Sequence, residues 1–113
     1  GDKRAVLDAV HQFEELNRIY PRDAQILRLL GDSYLATDRS DAAIQTIVKL
    51  LGGLPPGSSS WFRAKLQLIR AYRAGARTSD AVKTLKLLEL LHPDLGGPQL
   101  FEEFQKEKLR LEI

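Results

Sequence analysis

Three alanine-to-proline frames recur along the chain, Ala9 to Pro21, Ala43 to Pro55 and Ala81 to Pro93, and in each the proline follows the alanine by twelve positions. The first two are offset by 34 residues and the next two by 38, and Leu16, Leu50 and Leu88 shift by the same amounts. The four extra residues therefore lie between Pro55 and Tyr72. Periodicity of this kind marks one supersecondary unit used repeatedly. Such a unit buries its apolar face against neighbouring copies and leaves function to an extended surface rather than an enclosed pocket.

Within the frames the apolar spacing is helical. Val6, Leu7, Val10, Phe13, Leu16 and Ile19 fall three and four apart, which lays them along one stripe. Pro21 ends that helix, because the residue before a proline is pushed out of the α region. Asp23 is placed to cap a second helix through Ala36, and Ser40 a third that runs to Leu51 before Gly52 and Gly53 stop it. The stretch Pro55 to Ser60 reads as a loop and houses the insertion, with a serine available to cap the next helix. That fourth helix is predicted from Trp61 to Ala74. A fifth, capped by Thr78 or Ser79, runs to Leu91, and a last begins at Pro98, a residue suited to the first helical position. The expectation is an all-α chain of six helices forming a single domain over residues 1–113.

Composition sets limits on function. A charged fraction of 28% and a hydrophobic fraction of 43% are those of an ordinary globular domain, and no apolar run approaches the ~20 residues of a membrane span. The absence of cysteine excludes a disulfide framework, a thiolate nucleophile and a Cys-based zinc site, and leaves cytoplasm and periplasm equally open. With 17 Lys and Arg against 15 acids, the charge is too balanced to signal nucleic-acid binding by itself, so any electrostatic role rests on local clustering.

Leu27, Leu30, Gly31 and Tyr34, followed by Ala43, Ile47 and Pro55, resemble the tetratricopeptide repeat, a helix-turn-helix unit of about 34 residues. Gly31 and Ala43 would let the two helices approach closely while Tyr34, Leu30 and Ile47 fill the space around the crossing. Leu68, Tyr72, Ala81, Leu85 and Pro93 repeat the pattern, with Lys65 and Ile69 departing from it. Ala9, Phe13, Leu16 and Pro21 match the second half of a unit whose first helix is missing. The resemblance thus implies a truncated repeat at 5–21, a full repeat at 24–55 and a degenerate one at 61–93. These would stack as a short right-handed α-solenoid and form part of a larger protein. Residues 98–113 do not match and read as a capping helix. Leu100, Phe101, Phe104 and Leu111 would dock it, while Glu102, Glu103, Lys106, Glu107 and Lys108 keep its other side wet.

Proteins of that family generally bind peptides or partner surfaces in a concave face lined by the first helix of each unit. By register, the resemblance assigns to that face Gln25, Arg28, Asp32 and Leu35 from one unit and Arg63, Leu66, Arg70 and Arg73 from the next. Guanidinium groups so placed suit an acidic protein or peptide segment, and otherwise form a solvated face with local ion pairs. The family's grip on a C-terminal carboxylate is matched only in part, because Asp32 and Gln67 stand where asparagines are expected.

Other chemistry finds little footing. His11 and His92 lie in different helices with no ligand-spaced partner, His11 as a surface residue and His92 finishing the fifth helix. Ser58, Ser59 and Ser60 lack a nucleophile elbow or phosphate cradle. No acid, base and nucleophile converge, so the reading is non-enzymatic, with no metal and no cofactor. Trp61 is expected to anchor the long loop onto the third helix, the alternative being a ring left partly exposed at a contact surface. Two alternative functions stand beside the interaction module. One is homodimerisation through Val6, Val10 and Phe13, left partly uncovered by the missing helix. The other, a weaker reading, is nucleic-acid binding through the arginine face, which Asp32, Asp38, Asp41, Asp80 and Glu89 interrupt.

Overall fold

The computed structural model describes residues 3–113 as six helices, with no strand among the described residues. Gly1 and Asp2, which the expected domain includes, lie outside them. The helices are α1 (Lys3–Ile19), α2 (Ala24–Ala36), α3 (Ser40–Gly52), α4 (Ser59–Ala74), α5 (Thr78–Leu91) and α6 (Pro98–Arg110). The all-α expectation holds. None of these helices is long and apolar enough to cross a membrane.

Two helix starts follow the expected capping chemistry. Asp23 Oδ1 accepts from the Ile26 N–H at 3.0 Å, and Ser58 Oγ accepts from the Trp61 N–H at 3.2 Å, each satisfying an orphan donor of the first turn. The serine cap starts α4 at Ser59, ahead of the predicted Trp61.

The other two predicted caps are corrected. Ser40 and Thr78 are already helical and Ser79 follows them into the first turn, while the cap positions are Arg39 and Arg77, neither making a side-chain cap bond. The reason is a turn built from backbone. Arg39 N–H donates to the Tyr34 carbonyl at 2.8 Å and Arg77 N–H to the Tyr72 carbonyl at 2.7 Å. Asp38 and Ala76 both take φ 59°. Each arginine then lies over its tyrosine, 4.8 Å from the ring centre for Tyr34 and 4.9 Å for Tyr72. The two turns share one design, 38 residues apart.

Packing follows chain order, α1 on α2, α2 on α3, α3 on α4 and α4 on α5, with α6 laid against both α4 and α5. Helix direction alternates. Leu27 near the start of α2, Leu50 near the end of α3 and Ala64 near the start of α4 share one apolar cluster. Tyr34, Ala43 and Ala71, from the opposite ends of the same helices, share another with Val10, Leu30 and Ile47. Gly31 suits the close approach at the α2–α3 crossing, because a Cβ there would lie 3.1 Å from Ile47 Cγ1 and 3.2 Å from Gln67 Nε2, and those side chains would have to give way. Ala43 and Ala81, at the matched repeat positions, are both fully buried.

The third cluster joins α4, α5 and α6 through Phe62, Ile69, Leu85, Leu95, Phe104 and Leu111. Ile69, a departure from the repeat pattern, is fully buried there. The turn between α5 and α6 contributes Leu95, also fully buried. Gly96 follows at φ +89°, where a Cβ would come within 2.9 Å of the Phe62 ring. Trp61 packs edge-on against Phe62 and His92, at 5.1 and 5.2 Å between ring centres. It therefore anchors the end of α5, not α3 as the sequence suggested. On α1, Val10 is fully buried against α2 rather than left open, while Val6 and Phe13 are half-buried.

Candidate interaction groove

Between α2 and α4 lies a groove of about 590 Å³. Gln25, Arg28 and Asp32 rise from α2 on one side, and Arg63, Leu66, Gln67 and Arg70 from α4 on the other. Leu50 and Leu54, at and just beyond the end of α3, supply apolar floor. The walls are polar at the rim because α2 and α4 each spend their apolar stripe on α3, leaving the flanking positions to line the opening.

The two walls are tied together. Gln67 is buried, and its Nε2 donates to Asp32 Oδ1 at 2.5 Å and to the Arg28 carbonyl at 3.4 Å. Asp32 is also 3.9 Å from the half-exposed Arg28 guanidinium. Gln67 at the partial carboxylate-clamp position is therefore occupied with a structural link across the groove. Arg63 differs from its neighbours: it is exposed and has no ion-pair partner among the described residues.

Of the eight residues assigned to the concave face, the structure gathers Gln25, Arg28, Asp32, Arg63, Leu66 and Arg70 around this groove. Leu35 sits elsewhere, half-buried against the cluster that contains Val10 and Tyr34. Arg73 is outside the groove lining as well, because α6 claims it.

That claim runs through Glu107, which is fully buried rather than solvent-facing as expected. Its Oε1 accepts from Arg70 Nε at 2.9 Å and from Arg110 at 2.6 Å, and its Oε2 from Arg73 Nε at 3.0 Å. Arg70 also reaches Glu103 at 3.0 Å. Desolvation opposes ionisation of Glu107, but the hydrogen bonds from Arg70 and Arg110, with the charge and hydrogen bond of Arg73, outweigh it and hold the carboxyl below its ordinary value. On the other side of α6, Lys108 binds Glu89 of α5 at 2.9 Å. Phe101, expected in the docked face, is 42% exposed, whereas Phe104 is fully buried.

The sequence did contain a signal for Glu107. It lies between Phe104 and Leu111 at the i, i+3, i+7 spacing of the buried stripe, opposite arginines spaced one turn apart on α4. An acid in the middle of an apolar stripe requires a partner helix bearing cations.

Among the described residues, no three His, Cys, Asp or Glu side chains converge to hold a metal. His92 is spent in the aromatic contacts with Trp61 and Phe62, His11 is exposed on α1, and the Ser58 hydroxyl caps α4. Tyr34 donates to Glu14 at 2.6 Å. Burial first, then that carboxylate, pushes its hydroxyl up to about 12, so it serves as a donor rather than a base. No family model, curated protein or solved structure matches the chain.

Proposed function

We propose that the chain is a non-enzymatic protein-interaction module of tetratricopeptide-like helical pairs, which binds an acidic peptide or partner helix along the groove between α2 and α4. The observation that carries this reading is Arg63, an exposed cation without a carboxylate partner among the described residues, at the rim of a groove with leucine on its floor. Groove-bound peptides draw orientation from a few polar anchors and affinity from apolar contact, which is the combination present here. The neutralisation of Arg70 by Glu103 and Glu107, and of Arg73 by Glu107, shortens the cationic track that phosphate binding would need and favours a short acidic segment.

The test is a fluorescence-anisotropy titration with a labelled peptide that carries glutamates beside leucines. Binding should weaken as salt rises, and Arg63→Glu should lower affinity by about tenfold or more. Equal affinity of wild type and Arg63→Glu, or equal binding of a peptide with lysines in place of the glutamates, would reject the groove as an acidic-peptide site.

A further inference from the structure

The face of α5 turned away from the core carries Leu87, Leu90 and Leu91, which are 55%, 76% and 63% exposed. Their three- and four-residue spacing makes one contiguous apolar stripe, and surface of this kind on a polar domain marks an interaction site. A shallow pocket of about 140 Å³ adjoins the stripe, walled by Trp61, Lys65, Leu88 and His92. It is placed to accept one apolar side chain.

The unpaired charges that α4 and α5 place around the stripe are of one sign. Lys65 lies on the pocket side, its ammonium 5.1 Å from the centre of the Trp61 ring. Lys83 stands one turn before Leu87, and Lys86 one turn before Leu90; both are exposed. None of these three lysines has a carboxylate partner among the described residues. The acids of α5 are already engaged, Asp80 with Arg77 at 2.8 Å and Glu89 with Lys108 at 2.9 Å. An apolar strip flanked by free ammonium groups complements a helix that has leucine-type side chains on one face and carboxylates on both shoulders. The concave pocket and the narrow strip suit such a helix better than a flat lipid surface.

We propose that this face of α5 docks an acidic amphipathic helix of a partner protein, with its apolar side chains on Leu87, Leu90 and Leu91 and its carboxylates on Lys65, Lys83 and Lys86. The inference is independent of the groove between α2 and α4. Trp61 provides the readout, since it is the only tryptophan in the chain and forms part of the pocket wall.

The probe is a labelled synthetic helix with leucines on one face and flanking glutamates, titrated against the full chain while anisotropy and Trp61 emission are followed. Saturable binding with a blue shift of Trp61 is expected. The double variant Leu87→Ser with Leu90→Ser should weaken it about tenfold or more, as loss of central apolar anchors does. Both positions are exposed, so the fold is retained. Lys83→Glu with Lys86→Glu should weaken the Trp61-reported binding of the glutamate peptide and improve that of its lysine counterpart, while Arg63→Glu leaves the Trp61 response to both unchanged. Three results would overturn the proposal: absence of saturable binding, equal affinity for the two peptides, or an unaltered response in the serine double variant. A Trp61 shift produced by anionic vesicles, or by raising the concentration of the chain alone, but not by the peptide would reassign the face to lipid or to a second copy.

Discussion

Glu107→Gln isolates the charge that joins α6 to α4 while preserving side-chain volume. In the native chain the carboxylate accepts from Arg70, Arg73 and Arg110. A glutamine can keep its carbonyl oxygen on two of them, but its NH₂ must then face a guanidinium donor. The loss is at least one hydrogen bond to a charged group, worth about 1.5–3 kcal/mol, plus the attraction of the remaining pairs. Because Arg70, Arg73 and Arg110 are 37%, 38% and 50% exposed, water partly recovers them. The cost therefore falls at or below the lower end of the range for breaking a buried pair, about 2–3 kcal/mol. Unfolding entropy of about 2.1 cal/mol/K per residue over 113 residues converts this to a fall in Tm of about 8–13 °C.

Urea denaturation and calorimetry at neutral pH measure the difference, and a pH series supplies the decisive control. Glu107 titrates below its ordinary value of 4.5 in the folded chain. Its contribution is therefore complete above that value and is lost as pH falls through the depressed one. The gap between wild type and Glu107→Gln should be full at pH 7 and close progressively in acid. A variant within about 0.5 kcal/mol of wild type at pH 7, the scale of an ordinary surface substitution, would refute the reasoning. So would a gap that persisted undiminished far below pH 4.5.

Three further substitutions probe the turns and caps. Ala76→Gly should stabilise the chain by about 0.5–1 kcal/mol, since relief of left-handed backbone strain exceeds the added unfolded-state entropy; a lower urea midpoint would count against this. Gly96→Ala should cost about 2–4 kcal/mol, because a methyl group 2.9 Å from the Phe62 ring adds overpacking to backbone strain, and near-UV circular dichroism should report the disturbed Trp61–Phe62–His92 contacts. Asp23→Ala removes the cap on the Ile26 N–H and should lower stability by about 1 kcal/mol, with no effect expected from the same change at the uncapped Ser40.

Helix number and order are legible because each helix has its own apolar period and every break except that between α2 and α3 has a proline or glycine at it. The 34- and 38-residue offsets also locate the crossing residues, and Gly31, Ala43 and Ala81 occupy the tight positions that small side chains imply. Features that pattern reading misses depend on tertiary partners. Composition points to Ser40 and Thr78 as caps, whereas the arginine that precedes each forms a backbone turn closed over a tyrosine. Charge alone sends Glu107 to solvent, and an aromatic ring sends Phe101 to the core, although helix spacing favours the reverse. Six of the eight residues expected on the concave face do line one groove. Arg73 departs because α6 competes for it, and no local pattern on α4 could show that.

Helix α6 also sets the direction in which this architecture can be extended by design. It rests on α4 and α5 together, the berth that an additional pair grafted behind α5 would take under the proposed tetratricopeptide-like stacking. Seating such a pair would require evicting Phe104 and Leu111 from the core and stranding two guanidinium groups at once, so chimeras should add units ahead of α1.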